Sequence, residues 1–259
     1  MIILKSLASA FLMYSKIPMP RVEWREENRR YSLCFFPLVG ALIGAVFLLW
    51  RSVCALCEFG VFLNSAVSVL IPILITGGIH LDGFCDVADA VSSRAEREKK
   101  LTIMSDPHVG AFAVISLCSY LILQTSLLAE AKNIRTEIVI ALGFIMSRAL
   151  SGLAAVNFKS AKIDGALANF TRPAHKRITV ITLSVVIAII GVVMLISSPL
   201  SGGLALVGAA LTVAWYRYFS YKNFGGITGD LAGWFLQICE ITLLFFAVAG
   251  EKIAEVLVL

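Results

Sequence analysis

The chain has 259 residues, 59% of them hydrophobic and 15% charged, with 19 glycines besides. That apolar share stands well above the roughly 45–50% of a soluble globular domain, glycine included, and so few charges cannot cover such a chain in water. The composition argues against a soluble enzyme, and the net charge of +5, carried in short stretches between apolar runs, reads as a membrane topology signal and not as a nucleic-acid footprint.

The first residues, MIILKSLASAFLMYSKIPMP, interrupt their apolar run with Lys5 and lack the basic start of a leader peptide. Residues 1–30 therefore read as an interfacial or partly inserted segment of a single membrane-embedded domain over 1–259. Runs able to cross a hydrocarbon layer of ~30 Å follow at 31–50, 59–81, 109–129, 136–157, 178–197, 203–219 and 227–249. The expected fold class is an all-α integral membrane protein with about seven transmembrane helices. Six to eight are compatible with runs that carry Pro37, Pro72 and Arg217.

Assigning the loops alternately to two sides places seventeen of the 22 Lys and Arg on one side and four (Arg51, Lys132, Arg135, Lys252) on the other, with Arg148 inside a span. The richer side, which holds the N-terminus, is expected in the cytoplasm and the C-terminus outside. The Gly40-x-x-x-Gly44 spacing in the first run allows close helix approach, within the chain or in a homo-oligomer. The six cysteines include Cys54-x-x-Cys57 without a second pair, and they read as small hydrophobes, not as a metal site or disulfide framework.

The strongest chemical signal is TGGIHLDGFCDVADA, which sets Asp82, Asp86 and Asp89 at i, i+4 and i+7. On a helix these share one face, and three like charges so placed call for a cation or protonation. A solvated acidic cap would explain acids near a membrane surface but not this convergence beside Gly77-Gly78 and His80. Hard oxygen donors suit Mg²⁺, which bridges carboxylates to substrate phosphates.

On the same side lie Asp106, Asp164 in a basic loop, and Asp230 among Gly225, Gly226 and Gly229, where backbone N–H groups and a helix N-terminus suit a phosphate. Lys162 belongs to a set of cations (with Arg94, Lys159, Arg217 and Lys222) that would attract anions. Arg148 and Glu240 are the ionisable residues deepest in predicted spans, at matching depths of about 15 Å. Such groups need a partner or a polar cavity, so they read as a structural pair, with a substrate-binding role for Arg148 as the alternative. Together these features point to phosphoryl or phosphodiester transfer at the cytoplasmic face. A transporter of an anionic metabolite is the rival, but it should carry polar groups near the midplane and internally repeated halves.

At these residues the sequence resembles the adenosylcobinamide-GDP ribazoletransferase (cobalamin synthase) family of membrane enzymes. The likeness runs from ASAFLMYSKIPMP and YSLCFFPLVGALIGA through TGGIHLDGFCDVADA, IMSDPHVGAFA, Ser147-Arg148 and AKIDG to GGITGDLAGWFLQICEITLLF. One departure is Pro107-His108, where the family commonly has Ser-Arg, so a permanent cation with a bidentate fork is replaced. The resemblance implies a Mg²⁺-dependent transferase in a prokaryotic cytoplasmic (inner) membrane. It would join adenosylcobinamide-GDP to α-ribazole or α-ribazole 5'-phosphate and release GMP. It places Asp82, Asp86 and Asp89 on the metal, Asp89 or His80 as proton acceptor, and Asp106, His108, Arg148, Lys162, Asp164, Gly229 and Asp230 toward substrate. A phospholipid-synthesising CDP-alcohol phosphatidyltransferase is the chemical neighbour, and it closes its motif with a different aspartate spacing.

Overall fold

The computed structural model describes residues 2–162 and 165–257. These form helices α1 (Ile2–Tyr14), α2 (Glu26–Arg29), α3 (Ser32–Leu56), α4 (Val61–Thr76), α5 (Ile79–Ser92), α6 (Arg97–Ile103), α7 (Ala111–Glu130), α8 (Ile134–Asn157), α9 (Ala166–Thr171), α10 (Lys176–Ser197), α11 (Pro199–Phe224) and α12 (Gly229–Leu257). Six of them (α3, α7, α8, α10, α11 and α12) are long and apolar enough to cross a bilayer, and α4 with α5 makes a seventh, broken candidate. The chain is a multi-spanning all-α membrane protein.

The run expected to cross at 59–81 is interrupted. Gly77 and Gly78 both take left-handed backbone, with φ of 68° and 77°. The Gly78 N–H closes α4 by donating to the Ile73 carbonyl at 3.1 Å, a glycine helix stop. The chain leaves at 97° to α4, so the aspartates sit on a helix of their own, bent sharply away from α4. An L side chain in this conformation carries a clash of about 1–2 kcal/mol per residue. The segment after α1 is strapped to the same turn, where the Lys16 N–H donates to the Ile75 carbonyl at 2.7 Å.

Helices α8 and α12 are the inner pair, each with 67% of its apolar window buried, while α7 and α10 have 22% buried. On α10, Ile181, Val185, Ile189, Val192 and Ile196 are all exposed at helical spacing, a stripe that hydrocarbon must cover. The Gly40-x-x-x-Gly44 face is used inside the chain. A Cβ on Gly44 would lie 2.7 Å from the Ala141 carbonyl oxygen, and one on Gly40 would strike the Phe144 backbone, so α3 beds directly on α8.

Two buried ion pairs fasten the bundle. Arg148 of α8 meets Glu240 of α12 at 2.6 Å, with side chains 1% and 4% exposed. The same guanidinium donates to the Phe144 carbonyl at 2.8 Å, and the Ser147 hydroxyl donates to Glu240 at 3.2 Å. Arg51, counted as a loop cation from sequence, is instead enclosed in α3, which runs on to Leu56. It donates to Glu137 Oε1 at 2.6 Å, Asn64 Oδ1 at 3.2 Å and the Leu128 and Ala131 carbonyls.

A buried pair costs more when one member is lost than when both are replaced. Arg148→Met should therefore destabilise the protein by about 3–5 kcal/mol, and Arg148→Met combined with Glu240→Leu should recover most of that loss. Unfolding of the detergent-solubilised variants measures both. Additive losses would show that the two groups are not coupled.

Candidate active site

The site is built where α5 crosses α12. A Cβ on Gly83 would lie 2.8 Å from Asp230 Cα and 2.7 Å from its carbonyl oxygen, and a Cβ on Gly233 would lie 3.2 Å from the His80 carbonyl oxygen. Two glycines, one per helix, thus let backbone rest on backbone. The approach sets Asp82 and Asp230, on different helices, into the lining of one cavity with about 810 Å³ of empty space including its open mouth. Gly229 and His80 share that lining, and the remaining wall is mostly apolar and aromatic.

The start of α12 is held by its neighbours. After Gly225, left-handed at φ 77°, the Ile227 N–H donates to the Lys159 carbonyl and the Ala161 N–H to the Ile227 carbonyl, both at 2.8 Å. This isolated parallel bridge ties the basic segment after α8 to the turn before Asp230. The Lys159 N–H adds a 2.8 Å bond to the Tyr221 hydroxyl. Lys162 Nζ donates to the Ser105 hydroxyl at 2.8 Å and lies within electrostatic reach of Asp230. Asp164 lies outside the described residues.

The three clustered aspartates divide. Asp82 is exposed and Asp86 half-buried, and Asp86 feels the charges of Asp82, Asp230 and Asp89. Asp89 turns to α7, where its two carboxylate oxygens accept the N–H groups of Gly110 at 2.6 Å and Ala113 at 2.8 Å. Helix α7 begins after Gly110, which has no side chain to cap it, so Asp89 supplies the cap from another helix and meets the positive end of its dipole. Among the described residues, no three His, Cys, Asp or Glu side chains are grouped to hold a metal ion. Asp82 and Asp86, one turn apart, nevertheless fit Mg²⁺, which is usually held by one or two carboxylates together with waters and substrate phosphates.

His80 is 6% exposed, with its ring centroid 6.3 Å from that of Tyr14 and 6.0 Å from that of Phe36. Its Nε2 is buried without a hydrogen-bond partner. His80 also lines a small polar cavity with Tyr120, Gln124, Arg148 and Gln237, so the Arg148–Glu240 pair lies under the site and not in the lining of the larger cavity. Asp106 and His108 form an exposed pair outside that lining, with His108 Nδ1 2.6 Å from Asp106 Oδ1. Hydrogen bonds from the His108 backbone N–H and imidazole hold the Asp106 carboxyl below the usual carboxylate range. The residues that sequence reasoning missed are the crossing glycines, Gly83 and Gly233, and the aromatic wall of Tyr14, Phe36 and Phe170. The glycines inside HLDG and DLAG were the available signal.

A model of the family described as cobalamin-5-phosphate synthase matches residues 6–248. The chain belongs to this family. Among curated proteins, it is 44% identical over 250 residues to an adenosylcobinamide-GDP ribazoletransferase of Lachnoclostridium phytofermentans, covering 96% of this chain and 95% of that one. Proteins of the same description from Clostridium botulinum and Pseudomonas fluorescens are each 32% identical, covering 94% and 92% of this chain and 96% of each relative. No solved structure matches the chain. The cobalamin-5-phosphate synthase match takes in α5, the part of α12 that crosses it and the bridge that holds Asp230.

Two expectations follow from the geometry. Asp89→Asn retains one acceptor for the α7 N-terminus but loses the charge, and it should cost about 1–2 kcal/mol in unfolding experiments while leaving the Mg²⁺ concentration for half-maximal turnover unchanged. A large rise in that concentration would return Asp89 to the metal site. Gly83→Ala should wedge α5 from α12, costing about 1–3 kcal/mol of stability and at least tenfold in turnover. Near-normal activity would show that the crossing tolerates a Cβ.

Proposed function

We propose that this chain transfers the adenosylcobinamide phosphate moiety of adenosylcobinamide-GDP to α-ribazole or its 5'-phosphate, giving adenosylcobalamin or its 5'-phosphate and GMP. Family membership supports the reaction. The observation that carries the site assignment is the joint presence of Asp82 and Asp230 in one cavity lining. The ribazole 3'-hydroxyl oxygen forms a bond to the phosphorus that carries cobinamide. The bond from that phosphorus to the oxygen bridging the two phosphates breaks, and GMP departs with the bridging oxygen.

In this reading Asp82 and Asp86 would hold Mg²⁺, which when bound supplies neutralisation of pyrophosphate charge. Asp230, facing them across the crossing, takes the proton of the attacking hydroxyl. Lys162, within electrostatic reach of Asp230, offers a cation to the phosphates, and the Gly229 N–H lies at the open start of α12, where anions are favoured. Asp89 is assigned to holding α7, and Asp106 and His108 to the rim. The bias of Lys and Arg supports a cytoplasmic active site and N-terminus in a prokaryotic inner membrane, with the C-terminus outside. The buried Arg51 drops out of the poorer side of that count, which strengthens the asymmetry.

Purified protein supplied with adenosylcobinamide-GDP, α-ribazole and Mg²⁺ should release GMP and a corrinoid product in equal amounts. Chelation should stop turnover and added Mg²⁺ restore it. Asp82→Asn and Asp86→Asn should each lower turnover by about 100-fold or more, near 2.7 kcal/mol of transition-state stabilisation. Folded protein that yields neither product would sink the reaction, and near-wild-type rates in both variants would reject the metal assignment.

A further inference from the structure

The wall of the larger cavity away from the aspartates consists of rings and aliphatic groups. Tyr14 stacks on Phe36 with centroids 4.0 Å apart, Phe170 meets Tyr14 edge-on at 5.5 Å, and His80 joins both Tyr14 and Phe36. Besides Asp82 and Asp230, its polar side chains are few, chiefly His80 and Ser151. Small-molecule sites of this kind, apolar with a few placed polar groups, suit flat rings.

Resting on the reaction proposed above, two flat bases compete for the wall: the benzimidazole of α-ribazole and the guanine of the departing GMP. Guanine carries an amine, a ring N–H and a carbonyl, and each left unpaired in an apolar wall costs about 1–3 kcal/mol. The two carboxylates that could meet it are committed to the cation and the proton. A dimethylated benzimidazole has one free ring nitrogen, an acceptor, and two methyl groups that gain from burial. His80, more than nine-tenths buried, carries an Nε2 that lacks a partner, and a neutral imidazole has one N–H to give.

We propose that this cavity is the specificity pocket for the α-ribazole base, with Tyr14, Phe36 and Phe170 as its wall and His80 as the positioning group for the free ring nitrogen. The base then seats the ribose with its hydroxyls toward Asp82 and Asp230. Ala155 of α8, in the same lining, sets the space available to the methyl groups.

The test uses the full-length protein in detergent or nanodiscs. Ala155→Leu should raise the KM for α-ribazole at least tenfold, change the KM for adenosylcobinamide-GDP less than twofold, and penalise the riboside of unsubstituted benzimidazole less than that of the dimethylated base. His80→Phe should raise the α-ribazole KM with kcat reduced less than tenfold, whereas loss of kcat by 100-fold or more at unchanged KM would make His80 the proton acceptor and overturn its positioning role. A rise in the adenosylcobinamide-GDP KM alone would assign the cavity to guanine or corrinoid, and unchanged KM values for both substrates would empty it. Phe170→Leu, smaller in volume, repeats the α-ribazole KM test where Ala155→Leu fails to fold. Direct titration of wild-type protein with α-ribazole alone, read by tryptophan fluorescence, separates the two proposals. Saturable binding weakened by Ala155→Leu without any GMP release would retain the pocket and sink the reaction, and no binding alongside normal turnover would do the reverse.

Discussion

Backbone-to-backbone contact between α5 and α12 organises the rest of the molecule, because carboxylates from distant parts of the sequence share a cavity only if no side chain separates their helices. Gly83 and Gly233 supply that condition. The surrounding features then serve to hold the contact in register. The left-handed pair at Gly77 and Gly78 aims α5, Asp89 binds α5 to the start of α7, and the bridge between Ser160 and Ile227 steadies the start of α12. Below them, Arg148 and Glu240 lock α12 to α8. A buried pair of this kind adds little net stability over apolar replacements, yet it penalises every packing in which the two helices slide, since a slid helix leaves an unpaired charge in the protein interior.

Much of this was legible in the sequence, for reasons that differ by element. The long apolar runs were visible because lipid demands about 20 consecutive apolar residues for a helical span, and α3, α7, α8, α10, α11 and α12 fall where those runs do. The break at Gly77 was not, because apolar residues resume at Ile79 after only Thr76, Gly77 and Gly78, while the stop depends on backbone conformation. Arg51 was misplaced for a related reason. A charge near the end of an apolar run looks like a loop residue until Asn64 on the next helix and Glu137, far along the chain, are seen to enclose it.

The aspartate motif shows both the reach and the limit of spacing arguments. Helical periodicity put Asp82, Asp86 and Asp89 on one face, and they do lie on one helix. Periodicity is silent about what each face meets. Asp89 meets the bare N–H groups of α7, which have no partner within their own helix. Asp230, singled out for its glycine-rich setting, becomes the partner of Asp82 through a tertiary crossing that no local window encodes. The aromatic wall is drawn from three separate segments near Tyr14, Phe36 and Phe170, and it exists only in the folded chain.

The shortness of α4 has a consequence for the bilayer itself. Its 16 residues span about 24 Å along the helix axis, against a hydrocarbon layer of ~30 Å. A helix too short for its membrane is accommodated by local thinning or by long basic side chains that reach up to the headgroups, and Lys16 lies across Gly77 where α4 ends. Such thinning would bring the water boundary down toward the α4–α5 turn and the aspartates that follow it. In the reaction proposed above, a nucleotide would then meet its reaction partner in a dimple of the membrane surface.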